Sequence, residues 1–372
     1  MDIITIITAC FLGFLIVLAV IPPVLRVCKE KHLFDGFSSR KVHTKVIPNI
    51  GGVAIFIGFV LASIFITGDA FFPELKYIIA SLILLVGIGV KDDLMDISAT
   101  KKLMVQIISF LILIIAANIR ITDLDGIFGI HEIPYFVSLF LSLFIYIVIV
   151  NAFNLIDGID GLSSGLAILA SSILGAWFLI SGHLNYSIIA FALVGSLSAF
   201  FLFNVFGNTN KLFMGDTGAL VIGTIIAVLI IRFNEFNVAG NNVFSIKNAP
   251  TVSFAIIIAP LIDTLRVFVI RILQKRSPFS PDRNHIHHHL LELYNNHHLK
   301  ATITILLGNL LFVLFGFGLV KTGFNITIQL TLLVALGLYI GKIPSLLNKK
   351  QVTYYLKPSV MKSFREIMLL LF

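Results

Sequence analysis

Residues 135–181 read YFVSLFLSLFIYIVIVNAFNLIDGIDGLSSGLAILASSILGAWFLIS. Two apolar runs, 135–152 and 163–181, are each long enough to cross a hydrocarbon layer of about 30 Å as a helix. Asp157 and Asp160 are the only charged residues in the stretch, and both sit in the short connection. The segment therefore reads as two membrane-spanning helices joined by an acidic turn. Working outward, similar runs recur at 3–25, 50–67, 74–90, 104–119, 187–206, 213–231, 251–270, 301–320 and 324–341. The fold class is an all-α polytopic membrane protein of about eleven transmembrane helices.

Composition agrees, since 58% of the 372 residues are hydrophobic and only 12% charged. A soluble domain of this length would not expose such a surface, and one signal peptide or tail anchor would not account for it. An odd number of spans puts the termini on opposite sides. With the N-terminus outside, 22 of the 27 Lys and Arg fall on the cytoplasmic side, leaving Lys76, Arg120, Arg232, Lys247 and Lys321 outside. The positive-inside rule supports that orientation. The formal charge of +8 is then a topology signal and a contact with anionic lipid, not a nucleic-acid surface. Cys10 and Cys28, in or beside the first span, form neither a metal pair nor a disulfide framework. Residues 121–134 alternate apolar and polar around Asp125-Gly126 and predict a short external hairpin. The domain reading is one membrane-embedded unit, 1–346, and a cytoplasmic, amphipathic C-terminal tail, 347–372.

The acidic residues sort by side. Asp92, Asp93, Asp96, Asp157, Asp160, Asp216, Asp263 and Asp282 fall at cytoplasmic span ends, where facing carboxylates repel unless a cation or protons compensate them. In Lys91-Asp92-Asp93-Leu94-Met95-Asp96, helical spacing places Asp92 and Asp93 on the face of Asp96. Hard oxygen ligands of this kind suit Mg²⁺ or Mn²⁺; a solvated loop carrying topology charges is the competing reading. In Asn151-x-x-Asn154-x-x-Asp157-Gly-x-Asp160-Gly, two Asp-Gly steps permit a tight turn that aims both carboxylates into one cavity. Asn151 and Asn154 near the end of an apolar helix need polar partners. Asn204 to Gly218 contains Asn208, Lys211 and Met214-Gly215-Asp216-Thr217-Gly218, with Asp216 at a helix start as either metal ligand or N-cap. The loop 276–289 carries Arg276, Arg283 and the histidines His285, His287, His288 and His289. These either bind a borderline metal or donate hydrogen bonds to phosphate and sugar oxygens. Arg266 lies on the same side. Together the clusters place hard-metal ligands, amides and basic groups on one membrane face, which implies phosphoryl chemistry there.

These motifs, with the early His43-Thr44-Lys45 and Pro48-Asn49-Ile50-Gly51-Gly52, resemble the polyprenyl-phosphate N-acetylhexosamine-1-phosphate transferase family over nearly the whole chain. The Asp282-Arg283-x-His285-Ile-His287-His288 form resembles the WecA and TagO branch, whose donor is UDP-N-acetylglucosamine or a close relative. His289 extends the histidine run beyond that branch's pattern. The resemblance implies a bacterial inner-membrane phosphotransferase that moves an N-acetylhexosamine 1-phosphate from a UDP-sugar to undecaprenyl phosphate. UMP would be released and cell-envelope polysaccharide synthesis begun, in lipopolysaccharide or another wall polymer. It implies Mg²⁺, with Mn²⁺ as a substitute, a cytoplasmic active site and a homodimer. By the same resemblance, Asp216 with Asn154 would hold the metal, and Asp92, Asp93, Asp96, Asp157 and Asp160 would form the catalytic acid set. Lys45, Asn154, Asn208, Arg266, Arg283, His285, His287 and His288 would bind substrate. One alternative is the branch that takes UDP-N-acetylmuramoyl-pentapeptide. An aromatic prenyltransferase would not need the basic histidine loop. A metal- or proton-coupled transporter would place its ionisable residues near the bilayer midplane.

Overall fold

The computed structural model describes residues 2–31, 47–67, 72–95, 97–240, 243–275 and 284–348. The chain is an all-α polytopic membrane protein. Its helices are α1 (Asp2–Glu30), α2 (Gly51–Thr67), α3 (Glu74–Leu94), α4 (Ala99–Leu111, continued by a π-helical turn Ile112–Ala116), α5 (Tyr135–Ile156) and α6 (Leu162–Ile180). They are followed by α7 (Leu184–Phe206), α8 (Gly215–Val238), α9 (Ala249–Ile256), α10 (Ile258–Leu273), α11 (Ile286–Leu293), α12 (His298–Val320) and α13 (Ile326–Leu347). Among the described residues, eight helices are long and apolar enough to span, or nine if the bent pair α9–α10 is one span. The other two of the eleven expected segments are helical as well. They are α2, at 17 residues, and α3, which carries Glu74 and Lys76 at one end and Lys91, Asp92 and Asp93 at the other.

Helix α8 is the central post. Every residue from Thr217 to Ile231 is buried, and α2, α3, α5 and α6 pack around it. The outer helices turn large apolar side chains outward, among them Phe11, Phe65, Phe136, Phe140, Leu311 and Leu314. Such surfaces are stable only against lipid. At the end of α8 away from the acidic motifs, Arg232 donates to the Tyr186 hydroxyl at 2.8 Å and to Ala117 O at 3.2 Å, and it pairs with Glu74 at 3.4 Å.

The hairpin forms from β1 (Asp123–Ile127) and β2 (Ile130–Glu132), antiparallel, with Asp123 opposite Glu132 and Ile127 opposite Ile130. Its reversal lies at Phe128-Gly129, closed by Gly129 N donating to Gly126 O at 2.9 Å. The Asp125-Gly126 step instead coincides with a register irregularity, both residues having positive φ.

The expected continuous span 251–270 is broken. Helices α9 and α10 meet at 76° around Ile257. Pro260 has no amide to donate to Ile256 O, and its ring excludes the carbonyl that a straight helix would place there. Asn309 of α12, 2% exposed, takes both orphaned groups. Its Nδ2 donates to Ile256 O at 2.8 Å, and its Oδ1 accepts from Ala259 N at 3.0 Å. A break in an apolar environment is tolerated when a neighbouring polar side chain satisfies the backbone in this way. Lys45, Asp96, Arg283 and the C-terminal tail beyond Asn348 lie outside the described residues.

Candidate active site

The site is assembled where the acidic end of α3 meets the start of α8. Segment 48–52 runs beside 213–214: Phe213 N donates to Pro48 O, Gly51 N to Phe213 O and Gly52 N to Met214 O, each at 2.9 Å. The backbones touch without side chains between them, and a Cβ on Gly52 would fall 2.1 Å from Gly218 N. Gly215 opens α8 at φ +71, with Asn49 O and both Asp93 oxygens where a side chain would stand. Glycine meets both demands at little steric cost. Motifs more than 160 positions apart are thereby pressed into contact.

Asp93, expected among the catalytic acids, lies in this cluster with its oxygens turned to the helix start. Its Oδ1 accepts from Asp216 N at 2.6 Å, and its Oδ2 accepts from Thr217 N at 3.1 Å and Thr217 Oγ1 at 2.6 Å. It caps α8 from a neighbouring helix, filling the need that free amides and a positive dipole create there. Asp216 is thus released from capping. Its Oδ1 receives Lys102 Nζ at 2.8 Å and the amide of Asn154. Asp92 also meets Lys102 Nζ, at 3.0 Å, and accepts from Ile97 N at 2.9 Å. Lys102 is one of the 22 cytoplasmic cations of the positive-inside count. It stands in the first turn of α4, where it bridges two carboxylates.

Asp157 ends α5. Burial, and then the negative charges of Asp216, Asp93 and Asp160, push its carboxyl up to about 7. Asp160, three residues on, behaves oppositely. Burial raises its pKa, but His298 and Lys211 outweigh that and hold the carboxyl below its usual range. Lys211 Nζ lies 2.6 Å and His298 Nδ1 3.1 Å from Asp160 Oδ2, and Thr302 Oγ1 donates to the Asp160 carbonyl at 2.8 Å. Asp160 thus fastens the turn to α12 and to the 207–214 loop. Asn204 completes the clamp, accepting from Gly161 N at 2.6 Å and donating to Leu212 O at 3.0 Å. Asn208 sits exposed on the 207–214 loop.

The histidine segment approaches from the other side. His285 and His287 are buried, and their rings stack at 5.4 Å. His288 lies 4.3 Å from the His287 ring centre. His287 Nε2 lies against Gly158, beside Asp157. Burial lowers the His287 pKa to about 3, so the ring is neutral. Arg266 is 5% exposed; it donates to Asn284 O and lies 3.6 Å from Asp263, holding the start of this segment.

Asp92 and Asp216 share one lysine, Lys102, so among the described residues their two negative charges are met by a single positive one. The ligand atoms are carboxylate oxygens. A small, hard, doubly charged cation fits both the charge and the donor chemistry. Sequence reasoning missed Lys102 and His298, because a cation near a span end carries the same signature whether it serves topology or a site. Acidic residues spaced for one helix face were the readable signal.

A family model described as glycosyl transferase family 4 matches residues 75–234. The chain is 32% identical over 269 residues to the undecaprenyl-phosphate alpha-N-acetylglucosaminyl 1-phosphate transferase of Escherichia coli O157:H7, covering 71% of this chain and 70% of that one. It is 29% identical to the probable undecaprenyl-phosphate N-acetylglucosaminyl 1-phosphate transferase of Bacillus subtilis strain 168, over 82% of each chain. With the Yersinia pestis transferase of the same name as the first, identity is 30% over 77% of each.

Proposed function

The chain belongs to glycosyl transferase family 4, and on that premise we propose that it transfers N-acetylglucosamine 1-phosphate from UDP-N-acetylglucosamine to undecaprenyl phosphate. UMP is released, and the product starts a cell-envelope polysaccharide. A phosphate oxygen of the lipid attacks the β-phosphorus of the donor, the bond from that phosphorus to the oxygen bridging to UMP breaks, and the sugar carbon–oxygen bond stays intact. The observation that carries this reading is the meeting of Asp92 and Asp216 on the cation Lys102, with Asn154 donating to Asp216, three sequence motifs brought together at one end of the helix bundle.

Each group has a task that follows from its surroundings. Asp92, Asp216 and Asn154 would hold Mg²⁺, for which Mn²⁺ can stand in. Bound there, it supplies positive charge against the diphosphate. Lys102 holds a second positive charge beside the same oxygens, where two anionic substrates must be brought together. Asp157, with its carboxyl near 7, is matched to accept a proton from a lipid phosphate whose second pKa is about 6. Asp160 and Asp93 hold the turn and the α8 start in register. The neutral His287 offers hydrogen bonding without adding charge. The carboxylates gather at helix ends, the arrangement of an interfacial enzyme rather than a midplane ion pathway.

The same reading sets the protein in the bacterial plasma membrane as a homodimer, with the N-terminus outside and the site facing the cytoplasm. The test is UMP release by purified protein from UDP-N-acetylglucosamine, with undecaprenyl phosphate and Mg²⁺ each omitted in turn. Release that requires both is expected. Release without the lipid, or none with folded protein and both present, rejects the proposal.

A further inference from the structure

One buried carboxylate stands apart from the cluster around Lys102. Asp263, on α10 just past the break, is 1% exposed and divides its two oxygens. Oδ2 lies 2.8 Å from His285 Nδ1, and Oδ1 accepts from Ile286 N at 2.8 Å. Ile286 is the first residue of α11, so its amide has no acceptor within the helix. The His285 side chain, at the cap position, makes no cap hydrogen bond. The cap comes instead from another helix, on the side where the dipole favours a negative charge. His287 Nδ1 is buried without a hydrogen-bond partner and lies 4.0 Å from the same Oδ2.

We infer that Asp263 is the positioning residue of the histidine segment: its carboxylate accepts a hydrogen bond from Nδ1–H of His285 and caps α11, so that α10 sets how His287, stacked on His285, meets Gly158. An ionised carboxylate only accepts hydrogen bonds, so Nδ1 of His285 carries the proton and Nε2 is left as the free ring nitrogen. His285 stacks on His287, and His287 Nε2 rests on the Asp157-Gly158 turn. The orientation fixed at Asp263 therefore reaches the site through two rings. The consequence for turnover rests on the transfer reading above; the consequence for the ring does not. Asp263, His285 and His287 also place three donor atoms within 4.8 Å of one another, a set a borderline metal accepts. The 2.8 Å spacing of Oδ2 and Nδ1 is that of a hydrogen bond.

The test has two arms. In ¹⁵N-histidine-labelled protein, with H285Q to identify the signal, His285 should show the Nδ1–H tautomer in the wild type. In Asp263→Asn it should change to Nε2–H, because the amide then donates to Nδ1. The same exchange of carboxylate for amide in a serine-protease triad costs about 10⁴-fold. Here Asp263→Asn should lower kcat for UMP release at least tenfold, Asp263→Glu should recover part of it, and Asp263→Asn should add less than threefold on the H285Q background. A wild-type His285 in the Nε2–H form overturns the inference, even if the asparagine variant does not fold. So does a full, additive loss on the H285Q background. Stoichiometric zinc in protein purified without chelator, absent from Asp263→Asn, overturns it in favour of a metal link. No UMP release by the wild type, with the Nδ1–H tautomer present, would sink the transfer reading and leave the positioning role standing.

Discussion

Replacing Asp157 by Asn should make the protein more stable at alkaline pH while removing its activity. The Asp157 carboxyl is raised from 3.8 to about 7 by burial and by Asp216, Asp93 and Asp160. A raised folded-state pKa means that the folded protein keeps a proton that the unfolded chain releases. Stability is therefore fully present below about pH 4, falls as pH rises towards 7, and is level above it. At ~1.4 kcal/mol per pKa unit, the whole penalty is on the order of 4 kcal/mol. Roughly 2 kcal/mol of it develops between pH 5.5 and 7. Asparagine has nothing to ionise, so the variant escapes this fall. The assay is thermal unfolding in detergent with EDTA, both proteins side by side from pH 5.5 to 8.5. The melting-temperature advantage of the variant should widen by about 4 °C up to pH 7 and then stay constant, taking ~2 °C per kcal/mol for a chain of this size. Added Mg²⁺ should narrow it, because the cation compensates the same charge in the wild type. An advantage independent of pH, or a variant less stable than the wild type at pH 8.5, would refute the reasoning.

Three further outcomes follow from contacts already described. Asp216→Ala should abolish UMP release and remove the protection that Mg²⁺ gives against heating; a retained rate rejects its place at the metal. Gly52→Ala puts a methyl group against Gly218 N, and overpacking of about 1–3 kcal/mol or more should appear as a lowered melting temperature and poor recovery of folded protein. Asn309→Leu strips Ile256 O and Ala259 N of their partner. At ~1–3 kcal/mol for each unsatisfied group, it should destabilise markedly in thermal unfolding, whereas Leu at the exposed, lipid-side position Ile303 should be near neutral.

The spans and the acidic motifs were legible because apolar length and helical spacing are local properties of the chain. The 135–181 stretch gives α5, the Asp157-Asp160 turn and α6 almost at the boundaries observed. What was not legible is partnership. Asp92 and Asp93 are neighbours of identical type, yet one faces Lys102 and the other caps α8. Which is which depends on where α8 docks. Lys102 and His298 carried no local mark, since Asp216 and Asp160, which they meet, come from distant segments. The break at Ile257 had a visible cause in Pro260, but many spans hold a proline as a mild kink. Only the presence of Asn309 across the contact makes a full bend of 76° tolerable.

The pairing of segment 48–52 with 213–214 also places a clock in the biogenesis of the protein. About 160 residues separate the two strips of backbone, and at ~5–20 residues per second of synthesis the first waits on the order of ten to thirty seconds for the second. Until α8 arrives, Asp93 has no helix start to cap and Gly52 has no Gly218 to lie against. The early helices, α1 packed on α2 and α3 on α4, therefore wait in the bilayer with an acidic edge that α8 has not yet met. The carboxylate cluster comes into being only when α8 arrives, and the histidine segment and α12 join it later still.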